Sequence, residues 1–93
     1  MTVEILKSYI QMIATEYPIK RVELFGSRAE GINREDSDVD LIIEFFSPVS
    51  LLTLSSIKLR LGEMLNVEVD IIHGPLRETD LIEVGKIVEL YAA

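Results

Sequence analysis

The sequence predicts an α/β fold, a small β-sheet flanked by α-helices, and two observations lead there. Segments with apolar residues at helical spacing alternate with short apolar runs of strand length, the order expected when helices pack on a sheet. One of those runs, DVDLIIEFF at 38–46, has a nearly continuous apolar middle, the pattern of a central strand covered on both faces. A length of 93 residues sets one domain, 1–93, as the expectation, and 48% apolar residues suffice for a core. So small a domain buries a modest share of its surface, which predicts marginal stability without a partner.

Each element has its own signal. Residues 3–17 carry Leu6, Tyr9, Ile10, Ile13 and Tyr17 on one helical face, and Pro18 ends that helix. RVELFG at 21–26 reads as a strand that stops at a glycine, and 28–31 as one helical turn. After the central strand, Ser47 followed by Pro48 reads as an N-cap with proline at the first helical position. Leu51, Leu54, Ile57, Leu61 and Leu65 then mark one face of a helix to about residue 65. VEVDII at 67–72 is a third strand. Residues 76–84 read as a last helix closed by Gly85. The tail IVELY is either a short edge strand or a continuation of that helix.

Composition narrows the function. Nine basic residues against sixteen acidic ones give a net charge of −7, unfavourable for tracking along nucleic acid and suited to metal binding or a basic protein partner. With no cysteine, disulfides and thiolate metal sites are excluded. The N-terminus lacks a basic region followed by an apolar block, and no run approaches the ~18 apolar residues of a membrane span. The expectation is a soluble, cytoplasmic protein with no membrane contact.

The chemistry lies in GSRAEGINREDSDVDLII, residues 26–43. On a strand, residues i and i+2 share a face, so Asp38 and Asp40 project side by side, roughly 7 Å apart at ~3.3 Å per residue. Ser-x-Ser or Thr-x-Thr would serve a strand entrance equally well, and paired carboxylates repel unless a cation sits between them. Oxygen donors without His or Cys suit Mg²⁺ or Mn²⁺. The plain alternative is a pair of solvated aspartates. Asp70 interrupts the apolar run of the third strand. A crossover through the intervening helix would lay that strand parallel to the first and bring Asp70 to the face of Asp38 and Asp40. Three such carboxylates can hold two metal ions. Otherwise Asp70 is a charge that protects a sheet edge. Gly26 and Ser27 end a strand at a helix start, a turn whose backbone N–H groups and hydroxyl suit a phosphate. Arg28 would add a charge-assisted phosphate contact, or is a surface residue.

Gly26-Ser27, ten intervening residues, Asp38-x-Asp40 and a later Asp70 resemble the nucleotidyltransferase superfamily that includes DNA polymerase beta. The forms GSRAEG and SDVDLII resemble its minimal nucleotidyltransferases over about residues 20–91. The resemblance implies a mixed sheet of the polymerase beta-like fold. It implies that Gly26 and Ser27 bind the nucleotide triphosphate, that Asp38 and Asp40 bind both metals, and that Asp70 binds the catalytic metal and activates the acceptor. Glu30 departs from the pattern, since many relatives carry a basic residue there. The resemblance further implies a HEPN-domain ribonuclease as partner in a toxin–antitoxin system, with this chain the antitoxin that adenylylates a tyrosine on the toxin.

Other residues read more plainly. His73 is either a base or acceptor contact or a structural strand-end residue. Lys58 and Arg60 read as a solvated helix face, Met12 and Met64 as core, and Tyr9, Tyr17 and Tyr91 as core or interface. One of Phe45 and Phe46 packs under a helix. The leading expectation is transfer of AMP from ATP with Mg²⁺ to a hydroxyl of a protein, because so short a chain has no room for a domain that holds the acceptor. The rival is a non-catalytic antitoxin that occludes its partner. Transfer to a small molecule or nucleic acid is disfavoured by size and by charge. Homo- or hetero-oligomers fit either reading.

Overall fold

The computed structural model describes residues 1–75 and 85–93. The last helix expected at 76–84 lies outside them. The described elements run α1 (Val3–Ala14), β1 (Ile19–Phe25), α2 (Ser27–Glu30), β2 (Val39–Phe45), α3 (Leu51–Leu65), β3 (Val69–His73) and β4 (Val88–Ala92). The strands form one sheet in the order β3-β2-β1-β4. β2 pairs β3 in parallel, whereas β1 is antiparallel to both β2 and β4, so the sheet is mixed as expected. The tail is an edge strand and does not continue a helix.

Helix α1 starts where Thr2 accepts the Ile5 N–H and buries Leu6, Ile10 and Ile13. It ends at Ala14, three residues before the expected limit, and Thr15 donates its hydroxyl to the Met12 carbonyl at 2.7 Å. Met12 is a correction: at 57% exposure it faces outward, because it sits about 200° round the helix from Ile10. The start of α3 is a second correction. Its cap is Ser50, whose side chain accepts the Thr53 N–H, and Ser47-Pro48 belong to the bend after β2. The later start leaves Leu51 81% exposed, while Ile57, Leu61 and Leu65 are buried.

Helices α1 and α3 cover one face of the sheet, where Val22, Leu24, Val39, Leu41, Ile43 and Val69 join their apolar faces in one core. Arg60 lies on the solvated face as expected, but it is not without partners. It bonds Glu16 at 2.6 Å and lies 5.8 Å over the Tyr17 ring, tying the end of α1 to α3. That hydrogen bond holds the Glu16 carboxyl below its ordinary range. Phe45 packs on the core and Phe46 is exposed, so one of the pair lies under the helices as expected. On the opposite face Ile42 is 1% exposed, with Gly74 so close that an added Cβ would stand 3.0 Å from its Cγ2. The central strand is therefore buried on both faces, and it alternates: odd positions of β2 enter the core, while Asp40 and Ile42 face the other way. Among the described residues, no helix is long and apolar enough to cross a membrane.

Candidate active site

The site sits on the sheet face away from α1 and α3. In the parallel pairing, Asp40 stands directly across from Asp70, and Phe25, the last residue of β1, flanks Asp40 on the other side. Neighbouring strands lie about 4.8 Å apart, so the two carboxylates share one face at close range. Asp38 sits just before β2 and is exposed. Its backbone is held on the C-terminal side by the Val39 N–H, which donates to the Glu68 carbonyl at 2.9 Å.

The turn that follows β1 comes up against Asp40. Gly26 has φ 75° and ψ −158°, a region open essentially to glycine. A Cβ there would clash with Asp40 Oδ2. The backbone conformation favours glycine, and any side chain here would displace the Asp40 carboxylate. Ser27 begins α2, whose first helical bonds run from the Ala29 and Glu30 N–H groups to the Gly26 carbonyl. The Ser27 and Arg28 amides precede those bonds, at the end of a helix that favours anions.

Electrostatics shows how the carboxylates interact. The Asp40 carboxyl is pushed above its ordinary range, first by partial burial, then by the charge of Asp70, then by that of Asp38. Three negative groups on a half-buried face want a cation, and an all-oxygen donor set fits Mg²⁺ or Mn²⁺. Among the described residues, though, no three such groups already stand at ligating separation. Asp70 is turned instead to Lys58, with Nζ to Oδ1 at 3.7 Å and both side chains nearly half exposed. A groove of about 350 Å³ opens there between α3 and β3, lined by Leu51, Leu54, Ser55, Lys58, Asp70 and Ile71.

The structure sets Gly26 against Asp40 and places Asp70 opposite Asp40 in register, with Ser27 next to Gly26 and Asp38 just before β2. It gives Arg28 different partners from those expected: its guanidinium donates to the backbone carbonyls of Glu35 and Ser37. Glu30 accepts the Lys86 N–H at 2.7 Å and so fixes the approach to β4. His73 lies at the far end of β3, its ring 5.4 Å from that of Phe45. Lys58 reads from the sequence as part of a solvated helix face, and its place beside Asp70 depends on how α3 lies along β3. Its one local signal is that it follows the buried Ile57.

A glycine-serine turn thus packs on an aspartate of the central strand, with a second aspartate in register on the parallel neighbour. The family model for the nucleotidyltransferase domain matches residues 6–91, and the chain belongs to that family. A protein adenylyltransferase of Methanocaldococcus jannaschii is 35% identical over 69 residues, covering 74% of this chain and 70% of that protein. A solved minimal nucleotidyltransferase superposes with a TM-score of 0.71 at 34% identity, covering 90% of each chain. The structure of a tri-AMPylated Shewanella oneidensis HEPN toxin with its MNT antitoxin contains a chain of the same fold. Its TM-score is 0.72 at 14% identity, covering 99% of this chain and 74% of that one.

Proposed function

We propose that this chain is a metal-dependent protein adenylyltransferase that moves AMP from ATP to a hydroxyl, a tyrosine by family resemblance, on a HEPN-type toxin, and so acts as the antitoxin in the cytoplasm. The observation that carries the reading is the packing of the Gly26–Ser27 turn against Asp40, with Asp70 in register beside it. Gly26 lets the backbone approach the outer phosphates closely, and Ser27 supplies a hydroxyl and an amide to them. Asp38, Asp40 and Asp70 would hold Mg²⁺, or Mn²⁺ in its place, and three carboxylates can serve two ions. When bound, the metal lowers the pKa of the acceptor hydroxyl and neutralises charge on the phosphates. Asp70 stands at the rim beside the groove, where an acceptor from another protein can reach it. The acceptor hydroxyl gives up its proton to solvent, its oxygen bonds to the α-phosphorus, the α–β bridge breaks, and pyrophosphate leaves. The relative from Methanocaldococcus jannaschii supports protein as the acceptor class, and the Shewanella complex supports a HEPN toxin as partner.

The test mixes the chain with the HEPN-type protein encoded beside it, ATP and Mg²⁺, and measures the partner's intact mass. Steps of one AMP are expected, and they should vanish with Asp40→Asn. An unmodified partner whose ribonuclease activity is nevertheless silenced would select the second reading, a non-catalytic antitoxin that works by occlusion. The exposed Leu51, Leu52 and Leu59 on α3 favour a contribution from binding.

A further inference from the structure

The segment between α2 and β2 carries Asp38 at its end, and Arg28 is what ties it down. Arg28 lies on α2, one residue after Ser27. Its Nε donates to the Ser37 carbonyl at 3.2 Å, and its second terminal nitrogen donates to the same carbonyl at 2.8 Å and to the Glu35 carbonyl at 3.0 Å. The gripped stretch is itself closed: the Ser37 N–H donates to the Arg34 carbonyl at 3.1 Å, and Ser37 Oγ accepts the Arg34 N–H at 2.8 Å. Two residues further on, the Val39 N–H donates to the carbonyl of Glu68, the residue just before β3. Asp38 therefore sits between two pinned positions, Ser37 held by Arg28 and Val39 held by the sheet. Asp38 itself is exposed.

We propose that Arg28 is a positioning residue for the metal-binding carboxylates: a guanidinium clamp that couples the Gly26–Ser27 turn to Asp38. This rests on the functional reading above and replaces a direct phosphate contact for Arg28. The chemistry favours a clamp. A planar guanidinium can reach two carbonyls from one side chain in fixed geometry, whereas a lysine ammonium is a point charge on a flexible stem. Three of the five guanidinium N–H groups of Arg28 are spent on the two carbonyls, which leaves one terminal nitrogen for any other partner. Because the clamp starts on α2, displacement of the turn would be passed to Asp38.

The experiment compares wild type with Arg28→Lys and Arg28→Ala. Mn²⁺ affinity is measured without nucleotide, ATP-analogue affinity with metal, and hydrogen exchange over residues 33–39. In Arg28→Lys, Mn²⁺ affinity should fall roughly tenfold or more, the size seen when a group that orients a metal ligand is lost. Exchange at 37–39 should quicken while the core amides stay protected. Methylguanidine should restore Mn²⁺ affinity to Arg28→Ala but not to Arg28→Lys. Loss of ATP-analogue affinity in Arg28→Lys, with Mn²⁺ affinity and exchange unchanged, would make Arg28 a phosphate contact and overturn the clamp. No change in any readout would make it a surface residue, also overturning it. If wild type binds neither Mn²⁺ nor the analogue, the functional reading fails, and the exchange comparison still decides the clamp by itself.

Discussion

Asp40 and Asp70 are cross-strand partners, yet their surroundings differ. Asp40 lies on the central strand β2, half-buried, with Gly26 against its carboxylate and its pKa raised. Asp70 lies on the edge strand β3, with its side chain 48% exposed and turned to Lys58. Both edges of a central strand are hydrogen-bonded, so a group on it cannot move without its neighbours. An edge-strand group has open space on one side. The contrast teaches that one carboxylate is fixed by the fold and the other is left adjustable. It matches a division of labour in which Asp40 holds the nucleotide's cation and Asp70 meets the incoming acceptor.

The contrast breaks most completely at Gly26. Gly26→Ala should cost about 1–3 kcal/mol of stability from backbone strain alone. It should also abolish metal-dependent nucleotide binding, because the new methyl displaces the Asp40 carboxylate. Thermal melts and calorimetric titration with an ATP analogue check both. A stable variant that binds normally would mean that the turn does not hold Asp40.

Asp38→Asn with Asp40→Asn should lower Mg²⁺-dependent analogue affinity ~100-fold or more, since affinity follows the charge of the ligand set. The fold should survive and gain stability in the absence of metal. A carboxyl whose folded-state pKa is raised contributes stability below its unfolded value and loses it as pH rises through the folded one. Cation-free wild type should therefore grow more stable on mild acidification, by the part due to Asp40. Cation affinity should weaken over the same interval, beginning at a higher pH than an ordinary aspartate would give. The double variant should lose both dependences. Melting and metal titration across a pH series test this, and a wild type that shows neither trend would count against the charge crowding at Asp40.

Asp70→Asn sharpens the contrast. Analogue affinity should change little, while AMP transfer falls roughly 10²-fold or more, because the acceptor hydroxyl is no longer activated and aligned. In cells the variant should still bind its partner and fail wherever silencing needs modification. Transfer near the wild-type rate would make Asp70 an edge charge without a catalytic part.

The smallest effect belongs to Lys58. A half-exposed ion pair is worth ~1 kcal/mol at most, so Lys58→Ala should raise divalent-cation affinity by less than about fivefold, by freeing Asp70. A fall in affinity would show that Lys58 orients Asp70 for the metal and does not compete with it.

Much of the fold, and the residues proposed for the site, could be read directly from the chain. DVDLII announces both a buried strand and a D-x-D pair because strand periodicity is local, and the spacing from Gly26-Ser27 marks one family. The parallel placement of β3 beside β2 also followed, since a helix of about fifteen residues bridges them. Only the tertiary structure decided the rest. Ser50 and not Ser47 caps α3, because the chain first has to clear the end of β2, where the Phe46 N–H bonds the Pro18 carbonyl. The partners of Arg28, Lys58 and Glu30 lie 7 to 56 residues away, at the Glu35 and Ser37 carbonyls, Asp70 and Lys86. Long polar side chains have many rotamers and no sequence period. What they touch is settled by which backbone atoms folding brings within reach, whereas apolar periodicity and a glycine that must lie against a carboxylate leave their mark on the sequence itself.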